Sequence, residues 1–339
     1  MPINRVSNDA AKDGLKDLVR SERAVALAGA GVSAWAGYPL WRPLIDRLVD
    51  FTCKYHPDPQ RQDEIRAIAT NSQDDLVTVA KTLANYIAPR HFKRFLTTTL
   101  GPESGRMHDV LPQICALPFR DIFTLNLDPY LEYAHVALSV PCRTYSGIDT
   151  GDVATFLKSA DERKHLRHLI YLHGRFSDEL NAIALTTDGY DSVYREESFT
   201  ILMTVIAATR RVVFLGFGFE DSRLLSTFER TARTLADATL CHYAVKPFEN
   251  VANEEDLRNE YRTKWNIEIV FYELMPDDPR GPHAGFLDLM AELGVSADRR
   301  YVPVAALATA VVALPPHNAD EILERITSEN LEALRGSDV

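Results

Sequence analysis

The stretch Ala24 to Arg42, AVALAGAGVSAWAGYPLWR, decides the fold prediction. Its first part, Ala24 to Ala28, is a short apolar run that is typical of a buried strand. The run ends in the turn GAGVS, residues 29–33, and a glycine-rich turn after a strand brings backbone N–H groups close to a phosphate. Gly29 permits a left-handed backbone conformation, and Gly31 has no Cβ and so lets a ligand approach the main chain. By itself the turn is equally consistent with an ordinary tight turn.

Other strand-like runs also end in glycine or in polar residues. These runs are Asp121–Leu125, followed by Asn126-Leu127-Asp128; His168–Leu172, followed by His173-Gly174; and Arg211–Leu215, followed by Gly216-Phe217-Gly218. Leu240–Val245 and Glu268–Tyr272 are two more strand candidates, and Ala182–Leu185 is a shorter one. Helical patterns separate the runs, and this alternation predicts a parallel sheet covered on both faces. Ligands bind at the carboxyl ends of the strands in such sheets, so the special residues are expected to meet at one edge.

Helical patterns fill much of the remaining chain. Residues 9–22 predict an opening helix, and residues 44–118 have helical character throughout. A dehydrogenase would have a second strand ending in an acidic residue ~20 residues after the glycine turn, and a helical pattern occupies that place here. The predicted fold class is therefore α/β, a Rossmann-like parallel sheet with helices on both faces and a helical insertion at 44–118. We assign residues 1–295 to one α/β domain that includes the insertion, and 296–339 to a C-terminal extension.

Composition narrows the class of protein. The chain has 339 residues, of which 46% are hydrophobic and 25% are charged, as in ordinary globular proteins. A net charge of −11 argues against direct nucleic-acid binding, which usually needs a basic face. The four cysteines form no C-x-x-C pair, so neither a zinc ribbon nor a disulfide framework is expected. The longest apolar run, Val302–Leu314, is shorter than the ~18 residues of a membrane span, and a soluble cytoplasmic protein is expected.

Four polar residues near the strand ends are candidates for chemistry. Asn126 and Asp128 point the same way if the strand alternation continues, and an amide suits a ribose hydroxyl or a water. Each of the two is also consistent with a plain turn before Pro129. His173 can act as a base near neutral pH, although a histidine at a strand end is often only a polar edge residue. Ser33 is equally suited to donating to a phosphate and to capping the next helix.

The combination of motifs is more specific than any one of them. In chain order they are Gly29-Ala30-Gly31-Val32-Ser33, Gly37-Tyr38-Pro39-Leu40-Trp41-Arg42, Thr124-Leu125-Asn126-Leu127-Asp128, His173-Gly174 and Gly216-Phe217-Gly218. This pattern resembles the sirtuin (SIR2) superfamily across roughly residues 15–275. The resemblance implies an NAD-binding domain that breaks the bond between nicotinamide and ribose.

The resemblance also implies roles for individual residues. Catalytic roles would fall to three of them: Asn126 would hold the ribose or a water, Asp128 the nicotinamide amide, and His173 would be the base. The residues implied to contact NAD are Gly29, Ala30, Gly31, Ser33, Trp41, Arg42, Thr124, Gly216, Phe217 and Gly218. Of these, Arg42 would assist the phosphates and Trp41 would shield the reacting sugar.

The departures from the superfamily pattern refine the prediction. Protein deacylase sirtuins carry a four-cysteine zinc module after His-Gly, and this chain has no cysteine there; Leu40 replaces the usual aspartate. The chain is more similar to the SIR2-like NADases of bacterial anti-phage defence, which implies NAD as a substrate hydrolysed to nicotinamide and ADP-ribose, with no metal. The alternatives are a zinc-free deacylase and a non-catalytic NAD or ADP-ribose sensor. By analogy we expect a homo-oligomer with a separately encoded partner, first a HerA-type ATPase and second an Argonaute-like protein, contacted through Val302–Gly336.

Overall fold

The computed structural model describes residues 5–70, 76–138, 140, 142–158, 167–235, 240–248 and 254–296. The predicted C-terminal extension lies outside these residues except for its first position. Its roles as an oligomer or partner contact therefore stay predictions, as does the division of the chain into domains.

The described residues form one parallel sheet of seven strands. The strands are β1 (Ala24–Ala28), β2 (Asp121–Thr124), β3 (Cys142–Ser146), β4 (Arg167–Tyr171), β5 (Arg211–Leu215), β6 (His242–Phe248) and β7 (Ile267–Glu273). Their order in the sheet is β3-β4-β2-β1-β5-β6-β7. From β1 the chain moves to β2 on one side, and β5 later pairs with β1 on the other side, so the connections reverse direction beside β1. Such reversal points are where ligands bind in open α/β sheets.

Helices surround the sheet. They are α1 (Arg5–Arg20), α2 (Ala30–Ala34), α3 (Trp41–Cys53), α4 (Pro59–Thr70), α5 (Leu76–Ala84), α6 (Pro89–Leu100), α7 (Val110–Ala116), α8 (Tyr130–Ala137), α9 (Thr150–Lys158), α10 (Thr187–Arg195), α11 (Glu197–Thr209), α12 (Ser222–Leu235), α13 (Glu254–Trp265) and α14 (Ala284–Ser296). The predicted helical insertion thus contains the five helices α3 to α7, although it begins at Trp41 rather than at residue 44.

Strand alternation divides the hydrophobic core into two layers. Ala24, Ala26 and Ala28 of β1 face one layer, whereas Val25 and Leu27 face the other. Successive side chains of a strand point to opposite faces, so a strand buried on both sides is apolar throughout. Helices α1, α3 to α8 and α14 contribute to the first layer, and α9 to α13 contribute to the second. The predicted α/β class, with helices on both faces, is confirmed.

One predicted strand is absent, and one observed strand has no counterpart in the prediction. Ala182–Leu185 is not a strand; the structure has a 3₁₀ turn at Leu180–Ala182, followed by buried irregular chain. Conversely, β3 was not predicted. Four of its five residues are only partly buried or exposed, and it occupies the sheet edge, so it lacks the apolar run by which the other strands were recognised.

Candidate active site

The predicted meeting of the motifs at one edge of the sheet is confirmed. The neighbouring strands β4, β2, β1 and β5 run parallel, so their carboxyl ends lie side by side. The loops that leave these ends begin near His173, Asn126, Gly29 and Gly216, in that spatial order. Residues that are far apart along the chain are thus gathered at the reversal point of the sheet.

Three glycines join the loop after β1 to the loop after β5, and we call this the glycine contact: Gly29, Gly31 and Gly216. The N–H of Gly29 donates to Leu215 O at 2.9 Å, and that of Gly31 donates to Gly216 O at 2.9 Å. A Cβ on Gly31 would lie 2.9 Å from Gly216 Cα, and one on Gly216 would lie 2.4 Å from Val32 N. These glycines are therefore needed because two backbones touch.

The conformations correct the sequence interpretation of this turn. Gly29 has φ −103°, an extended value that does not require glycine, so the expected left-handed conformation is absent there. Gly216 is the residue in the left-handed region, with φ +58°. At Gly31 the space without a Cβ is filled by the Gly216 backbone rather than left for a ligand. Gly218 differs, because its nearest neighbour would be the Glu220 side chain at 3.7 Å, an ordinary contact.

A second feature is the Asn126 cluster, formed by Ser33, Asn126 and Asp128, all of them buried. Asn126 Nδ2 donates to Gly29 O at 2.9 Å and to Ser33 Oγ at 2.7 Å. A carbonyl only accepts hydrogen bonds, so the atom facing Gly29 O is the amide nitrogen. Both amide protons are then used, and Asn126 Oδ1 has no hydrogen-bond partner among the described residues. Asn126 Oδ1 is not one of the fully buried polar atoms that lack a partner in the described residues. This oxygen can therefore accept a hydrogen bond from a hydroxyl or a water.

Asp128 closes the cluster. The Ser33 hydroxyl acts to lower the pKa of the Asp128 carboxyl, and the N–H of Tyr130 donates to Asp128 Oδ1 at 3.1 Å. The second contact is the Asx turn considered from the sequence, so Asp128 both shapes the start of α8 and belongs to the cluster. Burial raises the pKa of Asp128, and the Ser33 hydroxyl and the N–H of Tyr130 only partly oppose the shift.

A third feature is the His173 cluster, formed by His173, Tyr194 and Asp221. His173 Nε2 lies 3.0 Å from Tyr194 Oη and 3.4 Å from Asp221 Oδ2. Tyr194 donates its hydroxyl to Asp221 Oδ2 at 2.8 Å. The His173 and Asp221 side chains are 5% and 9% exposed, so water screens this group little. The ring of Tyr190 also packs edge-on against His173, with centroids 5.2 Å apart.

The family comparison agrees with this geometry. Residues 120–270 match the model of the SIR2-like domain. This part of the chain is a SIR2-like domain. The match extends from the start of β2 into β7 and includes Asn126, Asp128 and His173, so the predicted membership of the sirtuin superfamily is confirmed. It supports an NAD-dependent activity in general. No curated protein matches the chain.

Three further predicted residues, Thr124, Phe217 and Ala30, have different surroundings. Thr124 is fully buried at the end of β2, where its hydroxyl lies 3.0 Å from Asn126 N and so fixes the backbone that carries Asn126. Phe217 is buried against Phe214 and Phe219, with ring centroids 5.5 Å and 4.7 Å away. Ala30 is the first residue of α2.

Trp41 and Arg42 begin α3, outside the matched domain. Trp41 is half-buried against the first core layer. Arg42 is exposed, donates to Ala69 O at 2.9 Å and lies 3.6 Å from Asp46. Among the hydrogen bonds between described residues, none joins Trp41 or Arg42 to the Asn126 cluster.

Sequence reasoning missed Tyr194 and Asp221. Tyr194 lies within α10, where it reads as one aromatic residue among several. Asp221 directly precedes α12 and accepts from the N–H of Leu224 at 2.9 Å, which is a helix-capping position. The sequence signal that would have identified Asp221 is its position three residues after Gly218, in the loop that follows a strand end.

The described residues lack two kinds of feature. They contain no group of three or more histidine, cysteine, aspartate or glutamate side chains arranged to hold a metal ion. No helix in them is long and apolar enough to cross a membrane.

Proposed function

We propose that the protein is an NAD⁺ glycohydrolase that breaks the nicotinamide–ribose bond of NAD and releases nicotinamide and ADP-ribose. The observation that carries the proposal is the Asn126 cluster in a SIR2-like domain: a buried amide, fixed through both of its protons, whose oxygen is left to accept. An amide held in this way can orient a ribose hydroxyl or an attacking water without its own reorganisation during the reaction.

The chemistry assigns one task to each cluster. When the C1′–N bond breaks, nicotinamide leaves as a neutral molecule and positive charge develops on the ribose. Water then adds to C1′ and gives up one proton, for which His173 is the acceptor. Asp128, in the Asn126 cluster, contributes a carboxylate that holds the neutral amide of nicotinamide. The glycine contact fixes the two loops between which these groups lie.

The experiment that tests the proposal is an assay of NAD consumption with identification of the products. Removing a well-placed catalytic group lowers the rate on the order of 10²-fold or more, so Asn126→Ala and His173→Ala should each lose that much nicotinamide release. The controls are Asn85→Ala and His283→Ala, which remove the same side chains at residues outside both clusters. These two should retain wild-type rates.

Other outcomes would point to other functions. Transfer of an acyl group from an acylated lysine peptide to ADP-ribose would identify a zinc-free deacylase. NAD or ADP-ribose binding without turnover, alone and with a partner protein, would identify a sensor. Equal rates for wild type and Asn126→Ala would remove Asn126 from the catalytic residues.

We also propose the biological setting on the strength of the resemblance alone. NAD depletion in anti-phage defence would require restraint until a trigger arrives, and oligomerisation with a separately encoded partner would supply it. A HerA-type ATPase is the first candidate and an Argonaute-like protein the second. Co-expression followed by size-exclusion chromatography, with NAD consumption measured on each species, tests this setting separately from the chemistry.

A further inference from the structure

Asp221 combines two functions in one carboxylate. Its Oδ1 accepts from Leu224 N at 2.9 Å and caps α12. Its Oδ2 accepts from Tyr194 Oη at 2.8 Å and lies 3.4 Å from His173 Nε2. The cap alone accounts for one oxygen, and a buried second oxygen directed at a tyrosine and a histidine is not needed to start a helix.

The hydrogen bonds determine which nitrogen of His173 carries the proton. A tyrosine hydroxyl has one proton, and Tyr194 gives it to Asp221, because an ionised carboxylate only accepts. Towards His173 the same hydroxyl therefore acts as acceptor, so Nε2 must be the N–H nitrogen of the neutral ring. The other nitrogen, Nδ1, has no hydrogen-bond partner among the described residues, which leaves it as the ring's proton acceptor.

We propose that Asp221, acting directly and through Tyr194, is a positioning residue that holds His173 in the tautomer with Nε2–H and leaves Nδ1 to accept the proton of the attacking water. This inference rests on the proposed function and deepens it, since it specifies the atom that acts as base. Asp221 also stabilises the product of that proton transfer, because its carboxylate lies 3.4 Å from the His173 imidazolium.

The surrounding charges support an ionised Asp221. Burial raises the pKa of this carboxyl, but the hydrogen bond and charge of His173 and the hydrogen bonds from Leu224 N and Tyr194 outweigh it, so its pKa is lowered. The groups facing the cluster from other elements are Tyr190 of α10 and Arg223 of α12. The Arg223 guanidinium lies 5.9 Å and 5.8 Å from the ring centres of Tyr190 and Tyr194.

The test compares Asp221→Asn with Asp149→Asn. Asparagine keeps the oxygen that caps α12, whereas its amide NH₂ replaces the oxygen that faced Tyr194 and His173. Tyr194 then loses its acceptor and turns its proton towards Nε2, which favours the opposite tautomer. Asp149 provides the matched control, because its Oδ1 accepts from Asp152 N at 2.8 Å near the start of α9 without contacting His173.

We expect Asp221→Asn to lower kcat for NAD cleavage about 10- to 100-fold, with KM changed less than about 2-fold, because a positioning residue contributes part of the effect of the base itself. Tyr194→Phe, which keeps the ring and removes only the hydroxyl, should lower kcat in the same way. Asp149→Asn should match the wild type.

A second measurement reports the tautomer without any turnover. In protein labelled with ¹⁵N-histidine, the imidazole nitrogen shifts distinguish the two neutral tautomers, and the His173 signal is the one absent from His173→Gln. We expect the Nε2–H pattern in the wild type and its loss in Asp221→Asn. If the wild type never cleaves NAD, the proposed function fails, and these shifts still decide the role of Asp221.

Three results would overturn the inference. One is an unchanged kcat and unchanged imidazole shifts in Asp221→Asn. Another is an equal loss of kcat in Asp149→Asn. The third is a fall of kcat in Asp221→Asn that comes with a lower melting temperature and lost NAD binding, because that pattern means the residue acts only through the fold.

Discussion

The Asn126 cluster and the His173 cluster lie at the same edge of one sheet but are built on different physical principles. The first combines with the glycine contact, so it consists of touching backbones and short hydrogen bonds around an amide whose two protons are both used. The second joins three ionisable side chains from separate elements, with a lowered pKa at Asp221. The comparison teaches that changes to the contacts that support Asn126, at the glycine contact and at Ser33, should act on the fold, whereas changes in the His173 cluster should act on proton chemistry.

The largest effect is expected at the glycine contact. Gly216→Ala places a Cβ 2.4 Å from Val32 N and forces a left-handed conformation on a residue that disfavours it. Neither the strand end nor the helix start can move without losing core contacts, so the free energy of unfolding should fall on the order of 3 kcal/mol. Chemical denaturation measures this directly.

Gly218→Ala is the matched control for that substitution. Gly218 belongs to the same loop, yet a Cβ there would come no closer than 3.7 Å to the Glu220 side chain, and its φ is not in the left-handed region. Its free energy of unfolding should stay within about 0.5 kcal/mol of the wild type. Equal losses in the two variants would mean that the loop tolerates no side chain at all and that the glycine contact has no special role.

The next effect belongs to Ser33. Ser33→Ala removes the acceptor of one Asn126 proton and leaves that buried N–H without a replacement; it also removes the hydroxyl that acts to lower the pKa of Asp128. An unsatisfied buried polar group costs about 1–3 kcal/mol, so thermal denaturation should show a loss in that range. The control Ser21→Ala removes an exposed serine hydroxyl that donates to Leu18 O at 2.7 Å, and its loss should be small. A stable Ser33→Ala protein would mean that water replaces the hydroxyl.

Strand ends could be predicted from the sequence because apolar runs report burial on both faces. β1 and β5 have the predicted bounds, and β2, β4, β6 and β7 lie within one to three residues of theirs. Burial without strand pairing misled the prediction at Ala182–Leu185. There the backbone oxygen of Ala182 packs closely against Gly174, and the backbone oxygen of Ile183 packs closely against Gly189. The segment is therefore part of tight turns and not of the sheet.

The candidate site was predictable only as far as its motifs are local. Asn126 and Asp128 lie two residues apart at a strand end, so their proximity follows from the strand. Tyr194 lies 21 residues from His173, and Asp221 lies 27 residues from Tyr194, so their meeting depends on how α10 and α12 pack. Likewise, no motif reveals that Gly31 faces Gly216 rather than open space.

The smallest effect is also the sharpest test of the comparison, because the two buried aspartates should give opposite pH dependences of stability. Burial raises the pKa of Asp128 above its ordinary value of 3.8, so the native state binds its proton more tightly and wild-type stability falls as pH rises through the window above 3.8. Asp221 has a lowered pKa, so its stabilisation is present above 3.8 and is lost as pH falls through the window below 3.8.

Each substitution to asparagine removes one of these dependences. Measured as variant minus wild type, the free energy of unfolding should rise with pH for Asp128→Asn in the window above 3.8. For Asp221→Asn it should fall with pH in the window below 3.8. Urea denaturation at closely spaced pH values gives both slopes, and any pH-independent cost of the asparagine cancels because only the slope is compared. Slopes of the same sign would mean that the two carboxylates share one kind of environment, and the distinction between a region in which burial dominates and an ion-paired region would then fail.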